Sequence, residues 1–332
     1  MSVELTGTRG GVDFDRPLIR ALLRPELPVL AFTGVLILAL APTAQGFLTT
    51  ANLQQILSSV AVLAIVALGL NQVILAGEID ISVGSGLAIC AWAAGSVGLA
   101  YGSPALTLLT AVGLGTAIGL VNGVLIVKGR IPSIIVTLAM LNVLRGLELV
   151  FNSVGVAGVP ENSRIFGNGT VLGLDAQVVV LVAAFAIVEL LMRHTSWGRD
   201  VAAVGGNRRA ARQAGLSVDG IRFLTFGLTG LCVGIAAMVH IGEVAAVQSN
   251  TGTGFELQVI AAVVIGGTSI MGGRGSTLGP VVGAILIGTM LNGMSLLGIA
   301  ERWQSVFTGG VILLAIASDV VRGRLLRRLV DS

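Results

Sequence analysis

Charge is scarce in this chain: only 11% of its 332 residues are charged, against about 25% in an ordinary soluble protein. That excludes a soluble globule. Lysine is nearly absent, and Lys128 in "GVLIVKG" cannot complete a G-x-x-x-x-G-K-[ST] loop, so nucleotide hydrolysis by that route is excluded. The two cysteines, Cys90 and Cys232, lie in apolar runs without partner spacing, which excludes a disulfide framework or a zinc site. The two histidines, His194 and His240, are too few for a metal site. His240 stands three residues before Glu243 and reads as half of a polar pair near a membrane interface. Aromatics reach 4%, without the girdles or short alternating strands of a β-barrel. No catalytic constellation, metal or cofactor is expected.

What is abundant is apolar and small: 54% hydrophobic residues and 47 glycines, a mix suited to helices whose backbones approach closely in a membrane. A spanning helix needs about 20 mostly apolar residues. The runs predict an all-α, polytopic integral membrane protein with about ten transmembrane helices. They fall near residues 27–46, 53–76, 83–101, 105–127, 131–151, 176–192, 223–245, 256–271, 276–297 and 304–321, the eighth being short. "ALA" at 39–41 resembles a signal-peptidase site, but Pro42 follows it and the leader is long, so the first span reads as uncleaved.

The basic residues support this count, because cytoplasmic loops retain Lys and Arg. With the N-terminus inside, the inner segments hold Arg9, Arg16, Arg20 and Arg24, then Lys128 and Arg130. They also hold Arg193, Arg199, Arg208, Arg209, Arg212 and Arg222, then Arg274, then Arg322, Arg324, Arg327 and Arg328. The outer loops keep Arg164 and Arg302, and Arg145 lies within a span. The chain divides into a cytoplasmic arm at 1–26, a membrane domain at 27–321 with an inner loop at 193–222, and a cytoplasmic tail at 322–332. The basic residues are dispersed and lack interleaved aromatics, so nucleic acid is not an expected partner.

The outer segment from residue 152 is rich in Gly, Asn and Ser and predicts a loop with some short helix. In the inner loop, Asn207 is a good N-cap, "RRAARQA" is strongly helical and Gly215 is placed to stop it. This short surface helix either lies on phospholipid or docks a cytoplasmic partner. Arg145 and Glu148, three apart, share a helix face and read as a mutually neutralising pair. Glycines at spacing four, Gly115, Gly119 and Gly123, then Gly275, Gly279 and Gly283, predict close helix packing.

Two Gly-rich polar turns interrupt apolar helices. In "LNQVILAGEIDISVGSGLAI", Gly77 can end a helix and Asp80 or Ser82 can cap the next, or the break lines a hydrophilic pathway. "VVIGGTSIMGGRGSTLGP" has the same form, a hint of an internal repeat.

Three stretches, "VILAGEIDISVGS", "WGRDVAAVGGNRRAARQAGLSV" and "GTGFELQVIAAVVIGGTSIMGGRGSTLGPVVGAILIG", resemble the permease subunits of ribose-type bacterial ABC importers. The resemblance implies a transport subunit, not an enzyme, in the bacterial inner membrane, translocating a monosaccharide or related small polar solute. Its partners would be a separate ABC ATPase subunit, a second permease (homodimer or sister permease), an extracytoplasmic solute-binding protein and membrane lipid. It also implies that Gly206, Asn207, Arg208, Ala210, Ala211 and Gly215 couple to the ATPase. The family has glycine where Glu78 stands here. Pathway positions fall to Asn71, Glu78, Asp80, Asn122 and Asn142. The alternatives are an ABC permease for a nucleoside or amino acid, an ion-coupled secondary transporter with Glu78, Asp80 or Glu148 carrying protons, and a membrane scaffold.

Overall fold

The structure, a computed structural model, describes residues 26–313 except 153, 154, 172, 301 and 312. The arm arginines, the tail and the end of the tenth predicted span lie outside the described residues. Helices α1 (Glu26–Thr43), α2 (Thr50–Leu75), α3 (Val83–Tyr101), α4 (Pro104–Val127) and α5 (Ser133–Phe151) come first. A folded loop follows, with strand β1 (Val156–Ala157), a 3-10 turn, the short α6 (Ile165–Asn168) and a hairpin of β2 (Thr170–Val171) and β3 (Leu174–Asp175). Then come α7 (Ala176–His194), α8 (Ser196–Gly206), α9 (Arg208–Gln213), α10 (Val218–Val244), β4 (Ala246–Val247), α11 (Phe255–Ile265) and α12 (Leu278–Leu296). Residues 302–311 are again helical. Among the described residues eight helices are long and apolar enough to cross a membrane, which makes the chain an all-α polytopic protein.

Position in the bundle follows from the sequence of each helix. α2 is apolar on every side and is buried continuously from Val60 to Leu75, so it forms the axis of the bundle. α1 and α7 leave Val35, Leu38, Val182, Ile187 and Leu190 exposed, as helices facing lipid do.

Glycines set the closest contacts. A Cβ on Gly115 or Gly119 in α4 would strike the carbonyl oxygen of Gly230 or Phe226 in α10, and one on Gly123 would come within 2.9 Å of Phe223. The second stripe acts likewise: Gly279 and Gly283 of α12 lie against the Gly266 and Ala262 carbonyls at and beside the end of α11. Both stripes bring helices of this one chain together.

At the end of the bundle opposite the arginine-rich loop, β1 pairs with β4, and Asn162 donates to the Gly102 carbonyl at 2.6 Å. From β4 the chain turns back inward. Arg145 Nη1 donates to the Thr251 carbonyl at 2.7 Å, about 18 Å along α5 from Ser133 at roughly 1.5 Å per residue. Gly252 and Glu256 lie against Gly84 in the first turn of α3. Residues 248–254 are thus a non-helical, re-entrant segment with Gln248, Ser249, Asn250 and Thr253 exposed; such backbone is tolerated in a membrane bundle only against protein or a water-lined cavity. This corrects the eighth predicted span: its helix has 11 residues and ends at Ile265, not at 271. Gly254 with φ 76° starts it and the Gly266–Gly267 turn stops it, so it is about 16 Å long and crosses only half the hydrocarbon.

If the glycine contacts set the α4–α10 spacing, Gly230→Leu lowers stability by about 1–3 kcal/mol or more through overpacking. Gly113→Ala, where a Cβ meets nothing within 4 Å, is neutral or stabilising by about 0.5–1 kcal/mol. Thermal unfolding in detergent distinguishes the two.

Candidate functional site

Both helix breaks are built the same way. At the end of α2, Gly77 adopts φ 74°, its N–H donates to Ile74 O at 2.9 Å and Glu78 N–H donates to Val73 O at 3.0 Å. At the end of α11, Gly267 adopts φ 94°, its N–H donates to Val264 O at 2.9 Å and Thr268 N–H donates to Val263 O at 3.2 Å. These are two Schellman caps, each requiring a residue without a Cβ penalty at the left-handed position. The equivalence strengthens the suggestion of a repeat.

The breaks touch each other and the arginine-rich loop through bare backbone. Gly273 N–H donates to Leu75 O at 2.9 Å, and a Cβ on Gly272 would lie 2.9 Å from Gly77 Cα. Gly205, at the end of α8, packs on Leu75 O, and Gly273 packs on Gly206, where an added Cβ would come within 2.7 Å of Gly206 Cα. A side chain on Gly205, Gly272 or Gly273 would force the three turns apart.

The loop itself folds as two helices, one more than expected. Thr195 Oγ1 accepts from Trp197 N–H and starts α8, which buries Val201 and Val204 with Leu75 and Ala76. The spacing of Trp197, Val201 and Val204 after a capping threonine was a legible amphipathic signal. Asn207 Oδ1 accepts from the N–H groups of Arg209 and Ala210 at 3.1 and 3.0 Å, capping α9, and Gly215 at φ 84° ends it. Gly206, Asn207, Arg208, Ala210, Ala214 and Gly215 are exposed, whereas Ala211 is buried among Val204, Val218 and Ile221. The alanines therefore do not form one surface.

Glu78 is only 4% exposed. Its Oε1 lies 2.6 Å from Arg222 Nε and 2.7 Å from Arg208 Nη2, while Arg208 also donates to the Gly77 carbonyl at 2.7 Å. Asp219 extends the network to Arg222 at 3.7 Å and Arg212 at 3.5 Å. A cavity of about 640 Å³ opens beside these groups, lined also by Arg130. Sequence spacing gave no sign that Glu78 meets residues over 100 positions away.

Asp80 Oδ1 accepts from Ser82 N–H at 2.9 Å and Ser82 Oγ at 2.6 Å, and Asn122 Nδ2 donates to the same hydroxyl at 3.0 Å. Asp80 thus satisfies an N–H just ahead of α3, while Ser82, the N-cap residue, makes no side-chain cap bond. The space beside them is about 10 Å³, at most room for one water. Asn71 accepts from Thr268 Oγ1 at 2.7 Å and donates to Ser276 O at 3.1 Å, tying α2 to the second break. Asn142 is exposed on α5 and bonds its own helix at Leu138 O. So Asp80 meets Asn122, Glu78 meets Arg208, and Asn71 and Asn142 stand apart.

Other expected polar pairs divide similarly. Arg145 and Glu148 approach to 3.9 Å with Glu148 fully buried, and Asn152 holds the other Glu148 oxygen at 2.9 Å. Glu243 accepts from Gln55 at 2.7 Å.

The described residues form a polytopic helical bundle in which two matched helix breaks meet a capped surface loop, and the matching family makes it a permease, a transport subunit. Residues 52–316 match the family described as the permease component of branched-chain amino acid transport systems, and the chain belongs to that family. It is similar to the ribose import permease protein of Escherichia coli K12, 37% identical over 290 residues, covering 86% of this chain and 90% of that protein. It is also similar to the L-arabinose ABC transporter permease protein of Azospirillum brasilense, 38% identical over 290 residues, 87% of this chain and 85% of that one. The autoinducer 2 import system permease protein of Enterobacter sp. strain 638 is 34% identical over 301 residues, 90% and 85% of the two chains. No solved structure matches.

Asp80→Ala leaves the buried Ser82 N–H without its acceptor and costs about 1–3 kcal/mol, read as a lower unfolding temperature in detergent. Asp80→Asn, which keeps an acceptor oxygen, costs less.

Proposed function

We propose that this chain is the membrane subunit of an ATP-driven importer carrying a monosaccharide or a related small polar solute through the bacterial inner membrane. The carrying observation is its similarity over most of its length to permeases named for ribose and L-arabinose import. Its partners are two cytoplasmic ATPase domains, a second copy or sister permease, an extracytoplasmic solute-binding protein and surrounding lipid. The arginine-rich end faces the cytoplasm, with both termini, residues 1–26 and 322–332, on that side and the membrane domain at 27–321.

The loop at 193–222 is the coupling segment. The exposed Asn207, Ala210 and Ala214 offer a small-residue face to the ATPase, while the opposite side rests on Leu75 and the glycine turns. ATP-driven closure shifts this loop, and the backbone contacts of Gly205 and Gly206 pass the shift to both breaks at once. Substrate then moves as the spans rock, with Asp80 and Asn122 as candidate pathway residues. An ion-coupled carrier is less well supported: Glu78 is paired with two arginines, Asp80 is bonded to Ser82, and Glu148 is held by Asn152 and Arg145.

Vesicles holding permease, ATPase and binding protein take up sugar only with internal ATP. Uptake driven by a proton gradient alone, without the partners, would overturn the importer reading. Ala210→Glu with Ala214→Glu abolishes co-purification of the ATPase while the permease still folds; unchanged assembly counts against the coupling face. A periplasm-dependent reporter is active when fused after Asn168 and silent after Gln213.

A further inference from the structure

The helix break after α2 carries a buried carboxylate, Glu78, whose ionic partners among the described residues come from distant parts of the chain. Glu78 is the last residue of the Schellman cap, and its backbone N–H is held by Val73 O. Its side chain is therefore aimed by a rigid turn. One guanidinium, Arg208, grips both the Glu78 carboxylate and the Gly77 carbonyl at 2.7 Å. Arg208 is also the first residue of α9, whose free N–H groups are occupied by Asn207. Both contacts come from the single Nη2 nitrogen, whose two N–H bonds lie in the guanidinium plane, so the hold fixes direction as well as distance. Arg222, 15% exposed and one turn into α10, closes the other side.

The remaining contacts between the loop and this turn are of another kind. Gly205 and Gly206 meet the turns through backbone, and Val201, Val204 and Ala211 bury apolar surface with Leu75 and Ala76; such burial resists separation but is non-directional. Among the described residues, Arg208 makes the side-chain hydrogen bond and the ion pair that join α9 to the turn at 77–78. The Arg208 side chain is 42% exposed and Glu78 keeps Arg222 at 2.6 Å when this pair opens, so the pair contributes direction rather than a large energy.

We infer that Glu78 is a positioning residue that tethers the coupling helix α9 and the start of α10 to the first helix break, so that the break follows the loop in both directions of the transport cycle. This deepens the importer reading and rests on it. Glycine contacts drive the break when the ATPase closes; the tether pulls it back when the ATPase reopens. Without the carboxylate, α9 moves while the break lags, and hydrolysis proceeds without a completed transport step.

Two measurements separate this inference from the reading beneath it. In the reconstituted complex of permease, ATPase and binding protein, Glu78→Gln and Arg208→Met each lower solute transported per ATP by about fivefold or more. The double variant falls no further than either single one. Glu78→Asp, which keeps the charge, recovers most of the ratio. Equal losses of transport and hydrolysis in proportion to complex formed, with no recovery in Glu78→Asp, would mean scaffolding only and overturn the tether. In the permease alone, Arg208→Met speeds amide exchange of residues 77–82 by about tenfold, and unchanged exchange overturns the tether whatever the complex does. If the unaltered complex shows no ATP-driven uptake, the importer reading fails, and the exchange result alone decides whether the link exists.

Discussion

The carbonyl of Leu75 is where three separate parts of the chain meet. It ends α2, accepts a hydrogen bond from Gly273 in the second break, and forms the floor on which Gly205 rests. No side chain fits between these segments, so their spacing is set by backbone van der Waals contact. Close contact of this sort is stiff: interiors packed to crystal density pass displacement on with little absorption. The helices around the point, α2, α8, α11 and α12, are held in register by it. The separate glycine seam between α4 and α10 holds the flank that carries Asn122 and Arg222.

The breaks themselves reflect a rule of the bilayer. Irregular backbone cannot face lipid, so a helix can stop in mid-structure only where a cap satisfies its last carbonyls and protein surrounds the turn. Both caps use glycine at the left-handed position, and both turns supply hydroxyls or carbonyls to the neighbouring strand of chain, as in Asn71 with Thr268 and Ser276. The polar residues near these turns mostly complete backbone and side-chain bonding. That is why Asn71 ties two segments together rather than opening onto free space.

Much of this was legible in the sequence. Apolar run lengths located the spans, glycine spacing marked the two packing seams, and Asn207 with Gly215 marked the ends of α9, because each of these signals is local. The failures lay in signals that hydropathy does not carry. The eighth run read as a span because "SIM" extends its apolar character past Gly266 and Gly267, and hydropathy does not register a left-handed cap. α8 was passed over because its apolar positions are few and arginine surrounds them. Glu78 stood unexplained because its partners, Arg208 and Arg222, are brought to it only by the fold. Ala211 and Ala210 look alike in sequence, yet one faces the core and the other faces solvent.

The half-length helix α11 has a consequence for biogenesis. Eleven residues are too few to be released sideways into lipid as an independent segment, and the first turn of this helix carries Glu256. Its slot is made by Gly84 of α3, Arg145 of α5 and the glycine face of α12. The first two are synthesised more than 100 residues earlier, and α12 only afterwards. With its glycine partner face in α12, α11 is suited to enter the membrane together with α12 as a helical hairpin rather than as a span of its own.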